Sequence, residues 1–100
     1  MIKHVILWKI KDEFDDAKKA EIKANAKREL EALVGKVPGL TEMHIQIDSL
    51  ASSTADLMLD STLESEEALK GYAGHPAHVH VADNFVRPFM EVRLCLDYNI

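Results

Sequence analysis

Between Ile2 and Lys11, His4, Ile6, Trp8 and Ile10 fall on one side of an extended chain and Val5, Leu7 and Lys9 on the other, before the charged stretch Asp12 to Asp16. That period of two predicts a strand. The period then lengthens: Ile22, Ala26, Leu30, Leu33 and Val37 recur every three or four residues, which is one apolar stripe of a helix. Asp15 or Asp16 stands where a helix is capped, and Gly35, Pro38 and Gly39 stand where one stops. Alternation returns from Leu40 to Asp48, with Met43, Ile45 and Ile47 on the inward side and Glu42, His44 and Gln46 outward. After a small polar turn, Ser49 to Thr54, Leu57, Leu59 and Leu63 alternate with Asp56, Met58 and Asp60, which predicts a third strand antiparallel to the second.

Ser65 followed by acidic residues marks another helix start, with Ala68, Leu69 and Tyr72 as its inner stripe and Gly74 at its end. Pro76 suits the first turn of a further short helix reaching to about Val86. From Phe89 to Tyr98 the chain alternates once more, and the pattern sends Met90, Val92, Leu94 and Leu96 inward. The order strand, helix, strand, strand, helix, strand is that of a ferredoxin-like α+β domain. Its four-stranded antiparallel sheet carries the helices on one face, in one domain over residues 1–100. The outer sheet face reads as mixed, with Val5 and Leu7 beside His44, Gln46, Asp60, Glu91 and Arg93.

Composition narrows the functions. A chain of 100 residues, 47% apolar and 29% charged, has room for one core and one domain. Its net charge of -5 opposes nucleic-acid phosphates and anionic lipid, so neither nucleic acid nor membrane is an expected partner. One cysteine, Cys95, allows no internal disulfide, and the apolar run at the start is too short and interrupted for a signal peptide or span. A cytoplasmic location is the expectation. No paired cysteines, glycine-rich phosphate loop or nucleophile elbow occurs, and Cys95 reads as an inert strand thiol.

The informative stretch is Tyr72-Ala73-Gly74-His75-Pro76-Ala77-His78-Val79-His80, which puts three histidines and a tyrosine in nine residues around a helix break. His75 and His78 are three apart, yet no acidic residue stands three or four positions after either, so no metal site is assigned. His75, preceding Pro76, either caps the next helix or lines a pocket. His78 and Tyr72 either form a hydrogen-bonded plug or serve a ligand. His4 shares the inward face of Ile6 and Trp8, and a buried imidazole needs a partner. His4, Tyr72 and His78 are therefore expected to converge on one apolar cavity, with Ile6, Trp8, Leu57, Leu59 and Val79 among its walls.

The opening Lys3-His4-Val5-Ile6-Leu7-Trp8-Lys9-Ile10-Lys11, the segment Leu63-Glu64-Ser65, the motif His75-Pro76-Ala77-His78 and the closing Asp97-Tyr98 resemble the stress-responsive A/B-barrel, or Dabb, family over nearly the whole chain. The resemblance implies a ferredoxin-like subunit that pairs sheet to sheet as a homodimer, a dimeric α+β barrel. That family includes a plant polyketide cyclase whose tyrosine and histidine close a ring by aldol chemistry without a cofactor. By resemblance those residues are Tyr72 and His78, with His4 lining the pocket. The chain departs from the family at Gln46-Ile47-Asp48, where many members have a glycine, and at Ala20, Ala24 and Ala26, where large rings are absent. Two functions fit: binding of a small apolar, keto or polyketide-like molecule, with His75 among the contacts, or a cofactor-free cyclase or isomerase with His78 as base and Tyr72 as orienting donor. A haem-type monooxygenase of the same fold would have only His75 or His78 as axial ligand.

Overall fold

The computed structural model describes residues 1–100. Strand β1 spans Ile2–Ile10, helix α1 Asp16–Glu31, β2 Leu40–Gln46, β3 Leu57–Leu63, α2 Glu66–Gly74, α3 Pro76–Val81 and β4 Met90–Asn99. A π-helical turn, Ala82–Val86, and a single 3₁₀ turn, Arg87–Phe89, join α3 to β4. The sheet is antiparallel in the order β2-β3-β1-β4, the ferredoxin-like arrangement.

Each helix begins where its cap residue allows. Asp15 accepts from the Lys18 amide at 2.8 Å, and Ser65 accepts from the Ala68 amide at 3.1 Å, each relieving one of the amides left open in a first turn. Helix α1 buries Ile22, Ala26 and Leu30, but it ends at Glu31, earlier than the stripe suggests. Leu33 and Val37 are buried from the turns beyond it. At the same end, Glu31 accepts from the Ile45 amide and from Lys27 Nζ, while Lys27 also donates to the Ile45 carbonyl, all at 2.9 Å. The helix thereby satisfies backbone groups of β2 that an edge strand would otherwise leave open.

The core lies between helices and sheet, where Ile6, Trp8, Ile10, Met43, Ile45, Leu57, Leu59 and Leu63 meet Ile22, Leu30, Leu33, Tyr72 and Val86. Directly paired residues of an antiparallel sheet project to the same side, so the register defines rows. One row runs Ile45, Leu59, Ile6, Cys95; the next runs Met43, Ser61, His4, Asp97.

These rows correct the expected phase of β4. Of the four residues sent inward by alternation, Met90 pairs with Ile10 on the helix side, but Val92, Leu94 and Leu96 pair with Lys9, Leu7 and Val5 on the outer side. The register shifts between Lys9 and Ile10, so Glu91 is an extra residue. A one-residue bulge sends every later side chain to the other face. Arg93, Cys95 and Asp97 consequently stand on the helix side, opposite Trp8, Ile6 and His4.

Two glycines shape the crossing into β2. Gly35 has φ +92° with open space around it, whereas Gly39 has φ +83° and a Cβ there would sit 2.5 Å from Ala68 Cβ. Gly35→Ala should cost about 1 to 2 kcal/mol for the left-handed backbone alone, and Gly39→Ala distinctly more, because the crossing would have to move off α2. Urea unfolding of the two variants compares them; equal losses would contradict the close approach.

A candidate acid–base pocket beneath the short helices

The break between α2 and α3 follows from one dipeptide. Proline disfavours helical backbone in the residue before it, and His75 is extended at φ -67° and ψ 133°. Its Nδ1 accepts from the Ala77 amide at 3.1 Å, which caps α3. Two short helices then turn separately over the sheet, presenting Tyr72 from the end of α2 and His78 from the first turns of α3 toward β1.

Between them and the sheet is a cavity of about 310 Å³, within the size range of small-molecule sites. The sheet contributes His4, Ile6, Trp8, Leu59 and the start of β4, Met90 to Arg93; α1 contributes Leu30; α2 gives Leu69, Tyr72 and Ala73; α3 gives His78; and the turns after it give Ala82, Val86 and Arg87. His4, Tyr72 and His78 thus share one enclosure, with Ile6, Trp8 and Leu59 among its walls. Leu57, Val79 and His75, expected beside them, do not line it. Leu57 is buried in the core opposite Trp8, and Val79 is half-buried outside the cavity. His75 faces a separate open hollow with Val37, Gly39 and Glu64, its ring committed to the cap.

The relation between Tyr72 and His78 also differs from the expected hydrogen-bonded plug. Their rings pack against each other, centroids 4.1 Å apart and tilted by 39°, while the His4 ring meets Tyr72 edge-on at 5.9 Å. The Tyr72 hydroxyl is buried and has no hydrogen-bond partner. Burial raises its pKa well above the ordinary phenol value, with Arg93 opposing weakly, so the group stays O–H and can donate.

His78 Nδ1 lies 3.2 Å from the Ala73 carbonyl oxygen. A carbonyl can only accept, so Nδ1 carries the proton and Nε2 has a free lone pair. Burial lowers the pKa of this imidazole from its ordinary 6.5, the Ala73 carbonyl acts in the other direction, and Arg87, His4 and Arg93 add to the lowering. Neutral His78 can therefore accept a proton at pH 7.

Asp97, Cys95, Arg87 and Arg93 were missed from sequence. Asp97 hydrogen-bonds His4 Nδ1. Since the carboxylate accepts, His4 is also held with its proton on Nδ1. Arg87 is paired with Asp83 at 2.6 Å, whereas Arg93 has no carboxylate within 4.0 Å. The bulge places Asp97 opposite His4 and Arg93 opposite Trp8 on the helix side, where simple alternation along β4 puts both on the other face.

Two outcomes follow. Tyr72→Phe removes a hydroxyl without a partner, so unfolding stability should be unchanged or rise by up to about 1 to 3 kcal/mol; a clear loss would show that the hydroxyl is bonded. For His78, the folded chain resists protonation while the unfolded chain binds a proton below about 6.5. The stability from neutral His78 is thus full above that pH and declines as pH falls through it. His78→Asn should flatten this acid-side slope in pH-dependent unfolding, and an unchanged slope would contradict a neutral, half-buried imidazole.

Comparison with known proteins agrees with this architecture. Residues 2–100 match the family described as Stress responsive A/B Barrel Domain. The chain is 31% identical to olivetolic acid cyclase of Cannabis sativa, covering 97% of this chain and 94% of that one. It is 32% identical to a stress-response A/B barrel domain-containing protein of Arabidopsis thaliana over 98% of this chain, which spans only 36% of that relative's length. A crystal structure from Bacteroides fragilis, described as a dimeric protein of unknown function and ferredoxin-like fold, superposes with a TM-score of 0.93 at 26% identity, covering 99% of this chain and 95% of that one. No helix is long and apolar enough to cross a membrane. With its sheet order, its roofing helices and a family match along 2–100, this chain belongs to the stress-responsive A/B-barrel family.

Proposed function

We propose that the cavity binds a small carbonyl compound of keto or polyketide type and that Tyr72 and His78 catalyse an aldol-type cyclisation of it. The observation that carries this reading is the Tyr72 hydroxyl, buried without a partner in the wall of an apolar cavity. A buried polar group left unbonded costs stability, and a ligand's carbonyl oxygen would supply the missing acceptor. The similarity to a protein named as a cyclase supports the same class of reaction.

His78 Nε2 takes a proton from the carbon next to one carbonyl, and the resulting enolate attacks a second carbonyl of the same molecule. Tyr72 donates a hydrogen bond to the oxygen that gains charge as the carbon–carbon bond forms. His78 then returns its proton to that alkoxide, so the ring closes with no net gain or loss of protons. Arg93, a guanidinium without a carboxylate partner at the cavity, orients an acidic end of the substrate. His4, fixed by Asp97, fills the wall beside Tyr72.

The reading includes a homodimer through the outer sheet face. The corrected β4 phase gathers Val5, Leu7, Val92, Leu94 and Leu96 into one apolar strip, with Leu94 and Leu96 more than 60% exposed in the single chain. Strips of this kind mark interaction surfaces, and a close structural neighbour is described as dimeric. Light scattering should give twice the monomer mass, and Leu94→Asp should halve it; a wild-type monomer at tens of micromolar would contradict the pairing.

For the cavity, Trp8, the single tryptophan, lies in the wall. Its fluorescence should change on titration with β-diketone esters or short linear polyketide acids. Where turnover is followed by product absorbance, His78→Ala should lower the rate by about 10² to 10⁴ and Tyr72→Phe by about 10² to 10³. Binding that persists with no turnover in the wild type would reduce the site to a receptor, and turnover unaffected by either substitution would overturn the assignment.

A further inference from the structure

One cluster of ligating groups lies apart from the Tyr72–His78 pair. His4 Nδ1, Cys95 Sγ and an Asp97 carboxylate oxygen all lie within 4.8 Å of one another, on two adjacent strands. The register makes this grouping inherent to the sheet: His4 is paired with Asp97, and Cys95, two residues earlier on the same face, is paired with Ile6. The strand backbone therefore holds the three donors together before any ion arrives, which limits the conformational cost of binding.

We propose that His4, Cys95 and Asp97 form a three-ligand site for a zinc-class divalent cation. The donor set of one imidazole, one thiolate and one carboxylate suits zinc, and three protein ligands with an open fourth position are the usual composition of its non-structural sites. Cys95 Sγ is 3.7 Å from His4 Nδ1 and 3.5 Å from the Asp97 oxygen. Tetrahedral coordination at ordinary Zn–S, Zn–N and Zn–O lengths separates such atoms by about 3.5 Å. The third pair, His4 and Asp97, is in direct hydrogen bond and opens by a small side-chain rotation as the ion replaces the shared proton. Cys95 and Asp97 are exposed, so the ion has an entry path. The expectation of no metal ligands followed from searching the His75 to His80 stretch, whose imidazoles are instead engaged with local groups: His75 with Ala77, His78 with Ala73 and His80 with Asn84.

The proton balance is definite. Cys95 loses its thiol proton to solvent as the sulfur–metal bond forms, and the imidazole proton of His4 moves from Nδ1 to Nε2, freeing Nδ1 to bind. One proton is released per ion, so affinity falls as pH falls. Burial is the main opposition to ionisation of the thiol and Asp97 adds to it, Arg93 on the same face favours it, and His4 is the remaining titratable neighbour. His4 also lines the cavity. The ion exchanges its Nε2 lone pair for an N–H, so metal binding alters the polar wall next to Tyr72.

The test is cobalt titration of the full chain after chelator treatment. One Co²⁺ per chain should bind with a near-ultraviolet thiolate-to-cobalt charge-transfer band and visible bands of tetrahedral intensity, both removed by added Zn²⁺. Cys95→Ser should lose the near-ultraviolet band while its circular dichroism stays native. Asp97→Asn should weaken Co²⁺ binding by more than the roughly 10- to 100-fold typical of losing an outer-shell partner, and His75→Ala should leave it unchanged. Absence of the charge-transfer band, its survival in Cys95→Ser, or its loss in His75→Ala would overturn the site. These readouts involve no substrate, so they stand or fall separately from the cyclase reading.

Discussion

The structure depends on the double duty of β1. As an inner strand paired on both edges, with β3 and β4, it cannot turn without breaking two ladders. Its period of two fixes Ile2, His4, Ile6, Trp8 and Ile10 on a single face. Ile6, Trp8 and Ile10 anchor the core; His4 stands on the same face of the strand and is therefore held with the rigidity of the core itself. Ser61 adds to this by donating to the His4 carbonyl at 2.9 Å within the buried sheet. A site built on such a strand varies little in geometry, which is what acid–base chemistry and ligand selection both need.

Above that face, the dipeptide His75-Pro76 interrupts what would otherwise be a longer helix. Two short helices and a π-helical turn cover the sheet, and the cavity lies beneath them. Tyr72 and His78 border it because they flank the break. Their different polar surroundings give them complementary roles: burial keeps the phenol protonated and the imidazole neutral. One is left a donor and the other an acceptor.

Much of this was legible in the residues. Alternation located β1, β2 and β3, Asp15 and Ser65 marked two helix starts, and the density of histidines around Pro76 pointed to the convergence of His4, Tyr72 and His78. The strand β4 was misread because its bulge depends on pairing with β1: alternation in one strand carries no record of a residue that its partner skips. That single slip put Val92, Leu94 and Leu96 in the core and hid Arg93, Cys95 and Asp97 from the helix side. The choice between a hydrogen bond and ring stacking for Tyr72 and His78 was equally out of reach, since both satisfy the same spacing. Leu57 and Val79 were placed in the wall by face alone, but position along the strand and around the helix also decides which atoms border a cavity.

The chemistry of the cavity rests on a neutral His78 whose Nε2 is free to take a proton, beside a phenol that burial keeps protonated. Long-range ¹H–¹⁵N correlation of the histidine rings, recorded on the full chain at pH 7, reads this most directly. His78 should show a protonated Nδ1 and an unprotonated Nε2. An imidazolium, or a tautomer with the proton on Nε2, would contradict it.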